Sequence, residues 1–75
     1  MEIKFSRHAK RRARLYKISE STIIKILEGK ELSQGRHEII ESAEGFKYPL
    51  KITIVVEKSI ITVITNYPLK NGRKK

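Results

Sequence analysis

The sequence predicts an α+β domain of order β-α-α-β-β-β, in which a two-helix hairpin covers one face of an antiparallel sheet of about four strands. Three observations lead there. Two short stretches, 7–16 and 20–28, space their apolar residues at the helical period, and each follows a serine. A short alternating stretch, 2–5, precedes them. Three runs rich in Ile, Val and Thr follow, separated by turn signals, and consecutive strands with short turns form an antiparallel meander.

Each element has its own reason. Residues 2–5 put Ile3 and Phe5 on one side and Lys4 on the other, as a strand does. Ser6 is placed to cap the first helix by accepting an amide of its opening turn. At about 100° per residue, Phe5, Ala9, Ala13 and Tyr16 fall on one stripe, with Arg7, Lys10 and Arg14 opposite. His8 and Arg12 are one turn apart on the flank of that stripe, with Leu15 beside them, so both are expected to aim at the edge of the core. Ser19 is a second N-cap, and Ile23, Ile24, Ile26 and Leu27 form the apolar stripe of the second helix. Gly29 is expected to end that helix in a left-handed conformation, with Leu32 packing under the exit.

The loop 33–35 gives way to a strand over 36–42, and 43–45 is a turn. The strongest strand spans 46–57, with Leu50, Ile52, Ile54 and Val56 on one face and Val55 on the other. Pro49 marks an edge or bulge at its start. Lys58 and Ser59 turn the chain into a β-branched strand over 60–67, which Pro68 ends. Residues 70–75 hold no apolar side chain and are expected to be a basic disordered tail behind a single domain, 1–69.

Seventy-five residues without cysteine give one thin-cored domain, held by neither disulfides nor thiolate metal sites. No apolar run approaches the ~18–20 residues that span a bilayer, and no signal peptide is visible. The expectation is a soluble cytoplasmic protein. The formal net charge is +9, unevenly spread: residues 1–17 carry +6, residues 66–75 carry +4, and the middle carries −1. Brought to one side, the two basic ends would make a patch for a polyanion, with nucleic acid the first expectation. The plainer alternative is a solvated helix face with a frayed basic tail. The third, a membrane surface, is the least favoured.

There is no Walker loop, Rossmann fingerprint, metal-ligand cluster or nucleophilic triad, so neither cofactor nor metal is expected. What remains is a histidine, several Arg and Lys, a tyrosine and hydroxyls. Metal-free RNA cleavage uses that set: a base for the 2′-hydroxyl, a cation for the phosphorane charge, and an acid for the leaving oxygen. Arginine adds a planar fork matched to phosphate. Many inert basic proteins own the same residues.

Longer patterns sharpen this. His8-Ala9-x-x-Arg12, then Ile18 opening a second helix, then a closing strand Val63-Ile64-Thr65-Asn66-Tyr67-Pro68, resembles a family of small bacterial and archaeal proteins of unknown function. Its members show His-Ala-x-x-Arg-Met-x-x-Arg-x-Ile near the start and end with a Thr-x-Tyr strand. That family is similar to the RelE-like toxin ribonucleases of the barnase–EndoU–colicin–RelE fold group, and the likeness runs from Ile3 to Pro68. Two positions depart from it: Ala13 stands at the family's Met and Tyr16 at its second Arg. The second change removes a phosphate ligand for which Arg11 or Arg14 could compensate.

The resemblance implies a RelE-like RNA-binding protein, a metal-independent endoribonuclease toxin of a toxin–antitoxin pair or a degenerate relative. His8, Arg12, Tyr67 and Thr65 are the candidate catalytic residues. Lys4, Arg7, Arg11, Arg14, Lys70 and Arg73 are the candidate phosphate ligands. Each has a structural alternative: a partly buried His8 bonding a strand, Arg12 clamping helix to sheet carbonyls, Tyr67 as a core or edge aromatic, Thr65 as an ordinary strand residue. His37 reads as a surface residue. The implied partners are RNA, including ribosome-associated mRNA, and an antitoxin with an acidic segment, with no membrane partner. The competing readings are a non-catalytic nucleic-acid-binding module and a small interaction protein, homodimeric through an edge strand.

Overall fold

The computed structural model describes residues 2–69. Strand β1 (Glu2–Phe5) leads into helices α1 (Arg7–Leu15) and α2 (Glu20–Glu28), followed by β2 (Gly35–Glu41), β3 (Leu50–Glu57) and β4 (Ile60–Pro68). The strands form one sheet of order β1-β4-β3-β2. The β2-β3-β4 meander is antiparallel, as expected. The sheet as a whole is mixed, because β1 runs parallel to β4. Turn signals fix the directions of consecutive strands only. The chain reaches β2 through the helix pair at the far edge, and the meander then returns β4 beside β1 in the same direction.

Both helices pack on one face. Leu50, Ile52, Ile54 and Val56 of β3 are fully buried there, with Ile61 and Val63 of β4 and Ile39 of β2. Ala9 and Ala13 close the core from α1, and Ile23 and Leu27 close it from α2. Ile3, Phe5, Tyr16, Ile26 and Leu32 pack around its margin. Alanine at both contact positions leaves little between α1 and the sheet.

The caps follow the sequence with one exchange of roles. Ser6 accepts from the Ala9 amide and Ser19 from the Thr22 amide. Gly29 does cap α2, but at φ −84°, not in the left-handed region. Lysines take that region instead, Lys17 at φ 58° and Lys58 at φ 57°. After α1, the Ile18 amide donates to the Ala13 carbonyl at 2.8 Å and the Lys17 amide to the Arg14 carbonyl at 3.3 Å. This paired closure needs a left-handed residue between helix and exit, and buried Ile18 supplies its apolar contact. At the β3–β4 turn, the Gln34 side chain accepts from the Lys58 amide at 2.7 Å and donates to its carbonyl at 3.1 Å.

Strand β3 begins at Leu50, four residues after the expected start, because Gly45 turns the chain at φ 90° and Pro49 has no amide for the ladder. The strand expected over 36–42 begins instead at Gly35 and ends at Glu41.

The feature that matters most for the site is a bulge in β4. Thr53 pairs with Thr65 but Ile54 pairs with Val63, so Ile64 is an extra residue. Before it, Ile61 and Val63 face the helices; after it, Asn66 does. Thr65 and Tyr67 therefore share a face, as alternation suggested, but it is the face turned away from the helices.

A candidate nucleic-acid interface on the first helix

Ser6 fixes where α1 sits. Its amide donates to the Val63 carbonyl at 3.0 Å and its hydroxyl to the Ile64 carbonyl at 3.0 Å, so the helix starts against the bulge. Asn66, fully buried just past the bulge, donates from Nδ2 to the Ala9 carbonyl at 3.3 Å. Strand β1 ends at Phe5, and α1 runs on against β4.

With Ala9 and Ala13 facing the sheet, Arg7, Lys10, Arg11 and Arg14 are exposed and Arg12 is half-buried. Lys17 follows, also exposed. Among the described residues, none of these six cations lies within 4 Å of a carboxylate, and α1 has no acid in its first turn. Arg7–Arg11 and Lys10–Arg14 are neighbours four residues apart, and Arg7–Lys10 and Arg11–Arg14 three apart. Each such like-charge pair costs an isolated helix about 0.2–0.5 kcal/mol. Arg7 and Lys10 also sit at the end where the helix dipole is already positive. Stability alone would not select this surface; an anionic partner would relieve it.

The outer face of the sheet is different. It carries Lys4, Arg36 and Lys51 against Glu2, Glu38 and Glu57, which is charge-neutral. Lys51 lies 3.5 Å from Glu38, and Lys4 lies 4.0 Å from Glu2. Lys4 thus stands apart from the α1 cations, on a balanced face. Lys70 and Arg73 lie outside the described residues, as does the expected tail.

The four candidate catalytic residues do not converge. His8 is exposed and does not aim at the core edge, because only Ala9 and Ala13 of α1 are buried. Leu15, beside it, is 65% exposed. Arg12 stays on the half-buried flank one turn away. Thr65 and Tyr67 are half-buried on the outer sheet face. Among the described residues, no side-chain hydrogen bond involves any of the four. The alternatives that have His8 bonding a strand and Arg12 bonding sheet carbonyls are likewise unmet. His37 is half-buried and donates from Nε2 to the Ser33 carbonyl at 2.7 Å.

Asn66 is the residue that reading the sequence missed. A lone Asn in a β-branched run reads as an ordinary strand position, and only the bulge turns it inward. Its Oδ1 is buried without a hydrogen-bond partner. A groove of about 620 Å³ lies between α2 and the end of β2, away from α1, and the Lys30–Glu41 pair at 2.9 Å lies on its wall. Among the described residues, no group of His, Asp and Glu could hold a metal ion, and no helix is long and apolar enough to cross a membrane.

Compared with known proteins, the chain matches no family model, no curated protein and no solved structure.

Proposed function

We propose that this protein binds RNA by its phosphates, through the exposed face of α1. The observation that carries the reading is the contrast between two surfaces of one small domain: six uncompensated cations on and just after α1, and a balanced outer sheet face. Arg7, Arg11 and Arg14 follow one another at about 6 and 4.5 Å along the helix axis. That is a short row of planar forks rather than a pocket, suited to following a backbone and not to reading bases. Because Ala9 and Ala13 hold α1 close to the sheet, the helix forms a ridge beside the domain instead of projecting into a groove.

In this reading the chain is a RelE-like RNA-binding protein, as the likeness through His8-Ala9-x-x-Arg12 and the closing strand implies. An antitoxin would neutralise the same face with an acidic segment. Cleavage is the second reading, favoured by one observation: His8 is open to solvent one turn from Arg12, on the flank of the cationic face. It is weakened by the position of Thr65 and Tyr67 across the sheet, which leaves one proton-transfer group where the reaction uses two. RNA binding measured across a salt series, on the parent and on α1 variants, tests the first reading. Product analysis on the same samples tests the second.

A further inference from the structure

We propose that β2 is a self-association edge, on which a second copy of this chain adds its own β2 antiparallel to form a continuous eight-stranded sheet. The sheet has two edges. β1 is four residues long, carries Lys4 on the outer face, and bends into α1 at Ser6. β2 is seven residues long and pairs with β3 in unbroken register from Gly35 to Glu41. Among the described residues, no backbone hydrogen bond outside the β3 ladder reaches it. It holds no proline, no lysine and no bulge, three devices by which proteins close an edge, and its charges Arg36, Glu38 and Glu41 are of mixed sign.

Charge selects the occupant and the register. Arg36, Glu38 and Ile40 point to the outer face, and antiparallel pairing keeps side chains of one face opposite each other. Centred on His37, the pairing puts Arg36 opposite Glu38 of the second copy, twice by symmetry. Centred on Glu38, it would put the two Glu38 carboxylates opposite each other. Centred on Ile39, it leaves Arg36 opposite a serine. Arg36 has no carboxylate within 4 Å in its own chain among the described residues, and Glu38 lies beside Lys51. The His37 register therefore builds a row of alternating sign, Arg36 of one copy, then Glu38 and Lys51 of the other.

The two-fold axis of such a pairing is perpendicular to the sheet, so both helix layers lie on one side. From one β4 to the other is five strand spacings, about 24 Å. The two α1 ridges would then face the same polyanion. Only this last consequence rests on the RNA reading; the association does not.

The chain has no cysteine, which makes the test direct. Arg36→Cys, His37→Cys and Glu38→Cys are made singly in the full chain, checked by circular dichroism when reduced, and oxidised without RNA. His37→Cys is expected to form disulfide dimers fastest, since residues directly opposite lie within disulfide reach, at Cα separations of about 4.5–5.5 Å. Sedimentation velocity is expected to show the parent self-associating with rising concentration. Arg36→Glu or Glu38→Arg alone should weaken the dimer about tenfold or more, and the two together should restore it. A parent that stays monomeric into the millimolar range overturns the proposal. So does faster oxidation of the Arg36→Cys or Glu38→Cys variant, or a parent that pairs only with a foreign strand.

Discussion

The Ser6 hydroxyl donates to the Ile64 carbonyl at 3.0 Å while accepting the Ala9 amide at 3.0 Å. One side chain thus caps α1 and ties it to the bulge. Ser6→Ala should lose both bonds and about 1–2 kcal/mol. In a domain of this size each 1 kcal/mol moves the thermal midpoint by roughly 4–8 °C. Ser6→Asp separates the roles: a carboxylate caps as well as serine but cannot donate to Ile64. Its midpoint should fall below the parent's, since the carboxylate also faces the Ile64 carbonyl. A midpoint equal to the parent's would show that the strand bond contributes nothing.

Asn66 makes a second prediction with an unusual order. Its Nδ2 bonds the Ala9 carbonyl, and its Oδ1 is buried unpaired. Asn66→Leu loses one hydrogen bond but also removes the orphan acceptor, so it should cost about 1 kcal/mol or less. Asn66→Asp keeps the shape, deletes the donor and puts a carboxylate against a helix carbonyl. It should cost at least about 2 kcal/mol. Denaturant melts of the two variants in one buffer decide; a more stable Asp variant contradicts this account of the joint.

These two residues also mark where the sequence stopped being readable. The alternation Leu50, Ile52, Ile54, Val56 identified the core face of β3 because every second residue is apolar and nothing interrupts the pleat. In β4 the same rule would have put Thr65 and Tyr67 beside Ile61 and Val63. A bulge at Ile64 reverses it, and a β-branched run carries no local sign of one extra residue. The parallel pairing of β1 was hidden for a different reason. It depends on where a strand some 55 residues later returns, not on any neighbouring turn. The cationic face of α1 was legible from helical spacing, because two alanines are too small to draw their neighbours inward. For the same reason His8 lies further out than a wider apolar stripe would have placed it.

Lys17 offers a gain in stability. It holds φ 58° at the end of α1, where glycine meets no steric penalty. Lys17→Gly should raise stability by about 0.5–1 kcal/mol, while Lys17→Ala should not. Calorimetry of both checks this. A glycine variant that melts below the parent would mean that contacts of the lysine stem outweigh the backbone strain at φ 58°.

His8→Ala should leave the thermal midpoint close to the parent's, since exposed side chains away from caps and turns rarely shift stability beyond about 0.5 kcal/mol. If the protein cleaves RNA, the same variant should lose on the order of 10²–10⁴ in rate. Cleavage that survives His8→Ala and Arg12→Ala unchanged would remove both from the chemistry and leave binding as the activity of this face.

The claim that α1 is the phosphate surface is tested most directly by the salt dependence of RNA affinity, read by fluorescence anisotropy. With about five phosphate contacts, affinity should fall roughly 10²–10³-fold between ~50 and ~200 mM salt. The combined Arg7→Gln, Arg11→Gln and Arg14→Gln variant should bind far more weakly and lose about two to three units of the log–log slope. The combined Lys4→Gln and Lys51→Gln variant of the outer sheet face should change the slope little, because each of those lysines already lies beside a glutamate. Equal slopes for the parent and the α1 variant, or a greater loss from the sheet-face variant, would contradict the account.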